Sequence, residues 1–205
     1  GRRAVELSAK ARQPIAALWG HLWRVDAALQ LGNMAEVDRE LAEIERVARE
    51  RGSIVARWHH LRYLAAYGAL VGDFPAARRA DDAAHALADR VGDVALVGMS
   101  MAFLTQLAIV TGDPGVVPIE WERVLAQAPP MPLVSVALSI QHVIEGRCDL
   151  ARSEFEAFRH LPATFPVGIR WAPTLAQIEI GAVLLDDAEV ADAVYLRLAH
   201  TAVYY

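Results

Sequence analysis

The chain has 205 residues, 55% of them apolar and 22% charged, with a net charge of −5. This size fits one globular domain or one short repeat array with a large core. The acidic balance and the lack of a basic stripe argue against direct nucleic-acid binding, which draws its affinity from neutralised phosphates. No apolar run reaches the roughly 20 residues that span a bilayer. The one cysteine, Cys148, rules out an intrachain disulfide and suits a reducing, cytoplasmic setting.

In chain order, residues 2–11 read as the tail of a helix. A helix follows over 14–31, with Leu18, Leu22, Val25 and Leu29 on one stripe. Leu31-Gly32-Asn33 ends it, and Asn33 with Glu36 has the form of a capping box for a helix over 34–50. Gly52-Ser53 breaks the chain before a helix over 54–71, striped by Trp58, Leu61, Leu64 and Gly68. Gly72-Asp73-Phe74-Pro75 leads into 74–90, and Gly92-Asp93 into 94–111. The remaining helices are expected over 114–127, 131–145, 148–160, 169–185 and 187–200, with breaks at Pro129-Pro130 and Pro166.

These breaks are not independent. Gly32, Gly72 and Gly112 stand 40 residues apart, Gly146 follows after 34, and Asp186 after 40 more. The next position holds Asn33, Asp73, Asp113, Arg147 and Asp187, of which four are good N-cap residues. Five residues after each marker stand Val37, Ala77, Val117, Ala151 and Ala191. Nine after it stand Leu41, Asp81, Trp121, Phe155 and Tyr195, and four before it Ala28, Gly68, Ala108, His142 and Ala182. The recurring unit is helix, tight turn, helix, break. One such hairpin cannot bury its apolar stripe alone, and stacked copies can. The expected fold is therefore all-α: a right-handed superhelix, or α-solenoid, of about five helical hairpins in a single domain over 1–205. The non-Met start and the apolar last residues give both ends the look of cuts from a longer chain.

Few residue sets suggest chemistry. There is no P-loop, and Thr111-Gly112-Asp113-Pro114-Gly115 lacks the lysine that such a loop needs. There is no Gly-x-Ser-x-Gly elbow. Cys148 with His142 is a conceivable thiol–base pair, but a small semi-buried thiol is the simpler reading. His142 itself reads as a histidine accommodated between helices. Neighbouring His59-His60 point about 100° apart on a helix and make no ligand pair. Asp81, Asp82 and His85 read as a solvated face, and Asp186, Asp187 and Glu189 as acids favoured at a helix start. No catalytic residue, metal or cofactor is expected.

The turn Gly72 to Ala77 resembles the Gly-Asp-x-x-x-Ala turn of tetratricopeptide (TPR) repeats, and Gly146 to Ala151 does so except at Arg147. That repeat usually runs about 34 residues, so the 40-residue spacing here is a departure. So is the missing aromatic near the start of most first helices. A narrower resemblance rests on Ala11-Arg12-Gln13-Pro14, Leu22-Trp23-Arg24, the Leu31-Gly32 turn and Leu184-Leu185-Asp186-Asp187 with Tyr195. These residues are similar to the helical region of large actinobacterial signalling regulators. Those proteins carry an ATPase module before this region, and a LuxR-type DNA-binding, bacterial transcriptional activator or cyclase domain elsewhere.

The resemblance implies a non-catalytic module of a transcriptional regulator that binds a protein, a peptide or a small effector. It would pass that binding to an attached ATPase or DNA-binding output. The alternative is the helical regulatory arm of an ATPase-linked adenylate or guanylate cyclase. In such architectures first helices line the concave wall. The repeat register then places Trp19, Asp26, His59, Arg62, Met99 and Gln106 there. Trp19, Trp23, Trp58, Tyr63 and Tyr67 cannot all be core, because Leu18, Leu22 and Val25 already fill the adjacent face. Apolar solenoid ends leave homodimerisation as a further expectation.

Overall fold

The structure is a computed structural model and describes residues 1–11, 13–117, 132–168, 170–199 and 201. Among them there is no β-strand. The helices are α1 (Arg2–Ala11), α2 (Pro14–Gln30), α3 (Met34–Arg51), α4 (Ile54–Leu70), α5 (Phe74–Val91), α6 (Val94–Thr111), α7 (Pro132–Ile144), α8 (Cys148–Phe155), the four-residue α9 (Leu161–Thr164), α10 (Trp171–Leu184) and α11 (Ala188–Leu198). Single 3₁₀ turns occupy Pro114–Val116 and Glu156–Phe158. The described residues form two compact units, one from Gly1 to Ser100 and one from Met101 onward.

The turn markers share one backbone conformation. Gly72 has φ +82°, and Asp186, the non-glycine member of the column, has φ +59°. The left-handed region is costly for most side chains and open to glycine, with aspartate among the few others that visit it. One such residue ends each first helix and reverses the chain. The next residue then caps the second helix: Asn33 accepts from the Glu36 amide at 3.2 Å, Asp73 from Ala76 at 3.0 Å and Asp187 from Val190 at 3.3 Å. Arg147 supplies no side-chain cap to α8. The capping box at Asn33 is only half formed, because the Glu36 carboxylate goes to Arg24 instead, at 2.6 Å.

The small-residue columns meet across the turn. A Cβ on Gly68 would lie 2.9 Å from the backbone nitrogen of Ala77, and Ala77 is fully buried. A side chain at position 68 would hold α4 and α5 apart. In the second unit a Cβ on Gly181 would lie 2.6 Å from Phe155.

In the first unit, packing runs between neighbours in sequence, α1 on α2, α2 on α3, α3 on α4 and α4 on α5. Leu18, Leu22, Val25, Val37, Leu41 and Ile44 form the core between α2 and α3. Trp58 anchors a second cluster with Ala84, Leu87 and Ala88. In the second unit α7 packs on α8 and α10, and α10 on α11, around Val136, Ile140, Phe155, Leu175 and Ile178.

Three expectations are corrected. The helix expected from residue 114 is a single 3₁₀ turn, after which Val117 is extended at ψ 128°. Val117 precedes Pro118, and the residue before a proline is pushed out of the helical region. The rest of that expected helix, with Trp121 and Pro129-Pro130, lies outside the described residues. The helix expected over 148–160 is α-helical only to Phe155 and then tightens into the 3₁₀ turn Glu156–Phe158, and Pro162, which has no N–H to donate, stands in the first turn of α9. Tyr195, in the mostly large and apolar column nine residues after the marker, is 64% exposed on α11, whereas Leu41 and Phe155 of the same column are buried.

Replacing Asp73 by Ala removes one cap and should lower stability by about 0.5–2 kcal/mol. Urea unfolding of the two proteins measures this. An unchanged midpoint would contradict the capping role.

Candidate functional site

Helix α2 has two apolar faces. Leu18, Leu22, Val25 and Ala28 are buried in the core. Ile15, Trp19 and Trp23, four residues apart, are 69%, 44% and 54% exposed. The core is already filled by the first face, so the second one is a surface stripe. Trp58, by contrast, is 1% exposed and structural.

Helix α4 supplies the neighbours of this stripe. The Trp19 ring stands edge-on to His59 at 5.6 Å, and Trp58 packs on the same imidazole at 4.9 Å. The Arg62 guanidinium lies over the Tyr63 ring at 4.2 Å and over Trp58 at 5.9 Å. Tyr63 donates its hydroxyl proton to Asp26 Oδ1 at 2.5 Å. The structure thus brings Trp19, Asp26, His59 and Arg62 together, through Trp58 and Tyr63. Met99 stands 43% exposed on α6. No ring contact, hydrogen bond or ion pair joins it to the four among the described residues. Gln106 lies in the second unit and is half-buried there.

Burial holds His59 neutral, and nearby Arg62 adds to this, so its pKa falls to about 4 despite the opposing pull of Asp26. Burial and the hydrogen bond to Asp26 push the Tyr63 phenol up. His59 Nδ1 and Arg62 Nε are buried without hydrogen-bond partners. At neutral pH the cluster offers an indole face, a neutral imidazole and one guanidinium. Stacking and charge are the chemistry of recognition.

A second polar constellation was not singled out from the sequence. An open cleft of about 830 Å³ lies among α1, α2 and α3. In its wall Glu40 Oε2 contacts His21 Nδ1 at 2.7 Å, and Glu40 Oε1 contacts Arg24 at 2.9 Å. Arg24 also pairs with Glu36, and Glu36 with Arg39. His21 is 6% exposed and Glu40 3%. The signal in the sequence was the repeat register itself, since His21 and Arg24 occupy positions that hold Leu61 and Leu64 one repeat later.

Other sequence candidates resolve locally. Asp81 is not solvated as expected; it is buried and accepts from the Ser100 hydroxyl at 2.7 Å. His85 turns to Asp89 at 3.5 Å. Cys148 is exposed rather than semi-buried, because it begins α8 at the turn. His142 is buried, with Nδ1 2.8 Å from Glu154. Asp113 accepts from the Gly115 amide at 2.9 Å, so the Thr111–Gly115 loop closes on itself. Asp187 and Glu189 both pair with Arg159. No group of three or more metal-ligating side chains converges among the described residues. None of their helices is long and apolar enough to cross a membrane.

Comparison with family models, with curated proteins and with solved structures finds no match to this chain.

Burial raises the Asp81 pKa to about 6, against the Ser100 hydrogen bond and the nearby His85 and Arg78, which lower it. Between the unfolded value of 3.8 and about 6 the folded state holds a proton that the unfolded state has lost. Asp81 therefore makes stability fall as pH rises through that window. His59, with its pKa lowered, acts in the opposite sense, so the diagnostic is a difference. Stability measured by denaturant from pH 4 to pH 7 should gain relative to wild type in Asp81→Asn as pH rises. Parallel curves would rule out the buried acid.

Proposed function

We propose that this chain is a ligand-recognition module built as an α-solenoid of TPR-like hairpins. The recurring left-handed turn, its cap and its small-residue contacts support that architecture. The single observation that carries the function is the exposed Ile15-Trp19-Trp23 stripe on α2, joined edge-on to the His59–Arg62 cluster of α4. Exposed tryptophan costs solubility and contributes nothing to this core. Tryptophan and arginine together are what interface hot spots are made of.

The ligand that fits this wall is a peptide or a segment of a partner protein. Its apolar side chain would cover Trp19, and its acceptor groups would face Arg62. Asp26 is committed to Tyr63 at 2.5 Å, so the guanidinium is the charge free to discriminate. The resemblance to actinobacterial signalling regulators supplies the setting: a cytoplasmic transcriptional regulator in which this module passes binding to an attached ATPase or DNA-binding output. Each repeat contacts only its neighbours, so binding across α2 and α4 would alter the angle between them and hence the curvature beyond.

Selection of a random-peptide phage library on the chain tests this. Enriched peptides should lose about tenfold or more in affinity against Trp19→Ala and Arg62→Ala, as measured by calorimetry. Equal affinity for both variants would overturn the reading.

A further inference from the structure

The repeat register makes the α1–α3 cleft unusual within its own chain. Eleven residues before the turn marker, successive repeats carry His21, Leu61 and Met101; eight before it, Arg24, Leu64 and Leu104. Eight after it stand Glu40, Ala80, Glu120, Glu154 and Val194. The first hairpin thus has a histidine and an arginine where the next two have apolar residues, and a glutamate that recurs in two later repeats. Two of the three are almost fully buried. Replacing a buried ionic triad by packed apolar residues is often neutral or stabilising. Stability therefore does not explain this one.

Its internal bonding leaves one capacity open. Glu40 uses one oxygen for His21 and the other for Arg24. An ionised carboxylate only accepts, so His21 Nδ1 carries the proton between them. In a neutral imidazole Nε2 is then an acceptor. Along the same cleft Arg46 is shared by Glu43 and Glu50. Arg51, in the last turn of α3, lines the cleft and makes no ion pair among the described residues. An acceptor is therefore open at one end and a guanidinium at the other. Glu40 and Arg51 are eleven residues apart on one helix, which at about 1.5 Å per residue is roughly 16 Å.

The lining balances Arg24, Arg46 and Arg51 against Glu40, Glu43 and Glu50. A ligand of one sign would meet as many like charges as opposite ones. A molecule with a cation at one end and an anion at the other is matched. The cleft volume of about 830 Å³ lies within the usual small-ligand range. An extended peptide advances about 3.3 Å per residue, so roughly four or five residues cover the span. We propose that this cleft binds a short peptide with both ends free. The α-ammonium would donate to His21 Nε2 beside Glu40, and the α-carboxylate would be held by Arg51.

This site is separate from the Trp19 wall. Trp19 and His21 are two residues apart and so about 200° apart around α2. Tetraalanine and pentaalanine are the probes, since their side chains add no chemistry of their own. Calorimetry and the NMR signals of the His21 ring should show binding to the wild-type chain. N-acetylation or C-amidation should weaken it about tenfold or more. The triple variant His21→Leu, Arg24→Leu, Glu40→Ala takes the residues that the second repeat carries at these positions. It should keep or raise the melting temperature and lose the peptide. Should it fail to fold, Arg51→Gln, at an exposed position, should abolish the difference between free and amidated peptide. No binding of either probe, binding indifferent to blocked ends, or retention by the folded triple variant and Arg51→Gln would each overturn the proposal. None of these outcomes would touch the Trp19 wall, whose variants are read separately.

Discussion

Two helices can pack closely only where neither carries a side chain between them. At Gly68 and Ala77 the backbones of α4 and α5 come so near that one added carbon would sit 2.9 Å from a backbone nitrogen. The turn four residues after Gly68 must then reverse the chain with little slack, and the left-handed Gly72 does so. In this hairpin the helix spacing and the place of the Asp73 cap follow from this approach.

Within that tight frame the chain buries several polar groups, and the buried carboxylates among the described residues have partners. Glu40 meets His21 and Arg24, Asp81 meets Ser100, and in the second unit Glu154 meets His142. All three acids sit on second helices. Single unpaired acids there would be far more costly, since burial alone raises the Asp81 pKa to about 6 even with the Ser100 hydrogen bond. Such pairs set which helix faces which, because a hydrogen bond is directional and an apolar contact is not. The His21 network also lines an open cleft.

Helix α2 consequently carries two surfaces of different character on opposite sides. The Trp19 side is aromatic and tied to α4 through His59. The His21 side is ionic and tied to α3 through Glu40. The core stripe of the same helix separates them.

Much of this was legible in the residues alone. The marker column, the caps at Asn33, Asp73 and Asp187 and the small residues beside the turns are local requirements, and local requirements are written in sequence. Asp186 could be read as a turn residue only because the spacing put it in a glycine column. What the residues could not decide depended on partners distant along the chain. Periodicity marks Trp19 and Trp58 alike as apolar helix positions, yet one is 44% exposed and the other 1%. Asp81 looked like part of a charged surface until Ser100, nineteen residues on, covered it. The His21–Glu40–Arg24 triad spans one turn and two helices, so no local pattern announces it. Local conformational demands, the helices and their turns, were thus determined by the sequence itself. Burial and polar pairing were decided only in the tertiary structure, because they depend on which faces meet when the helices pack.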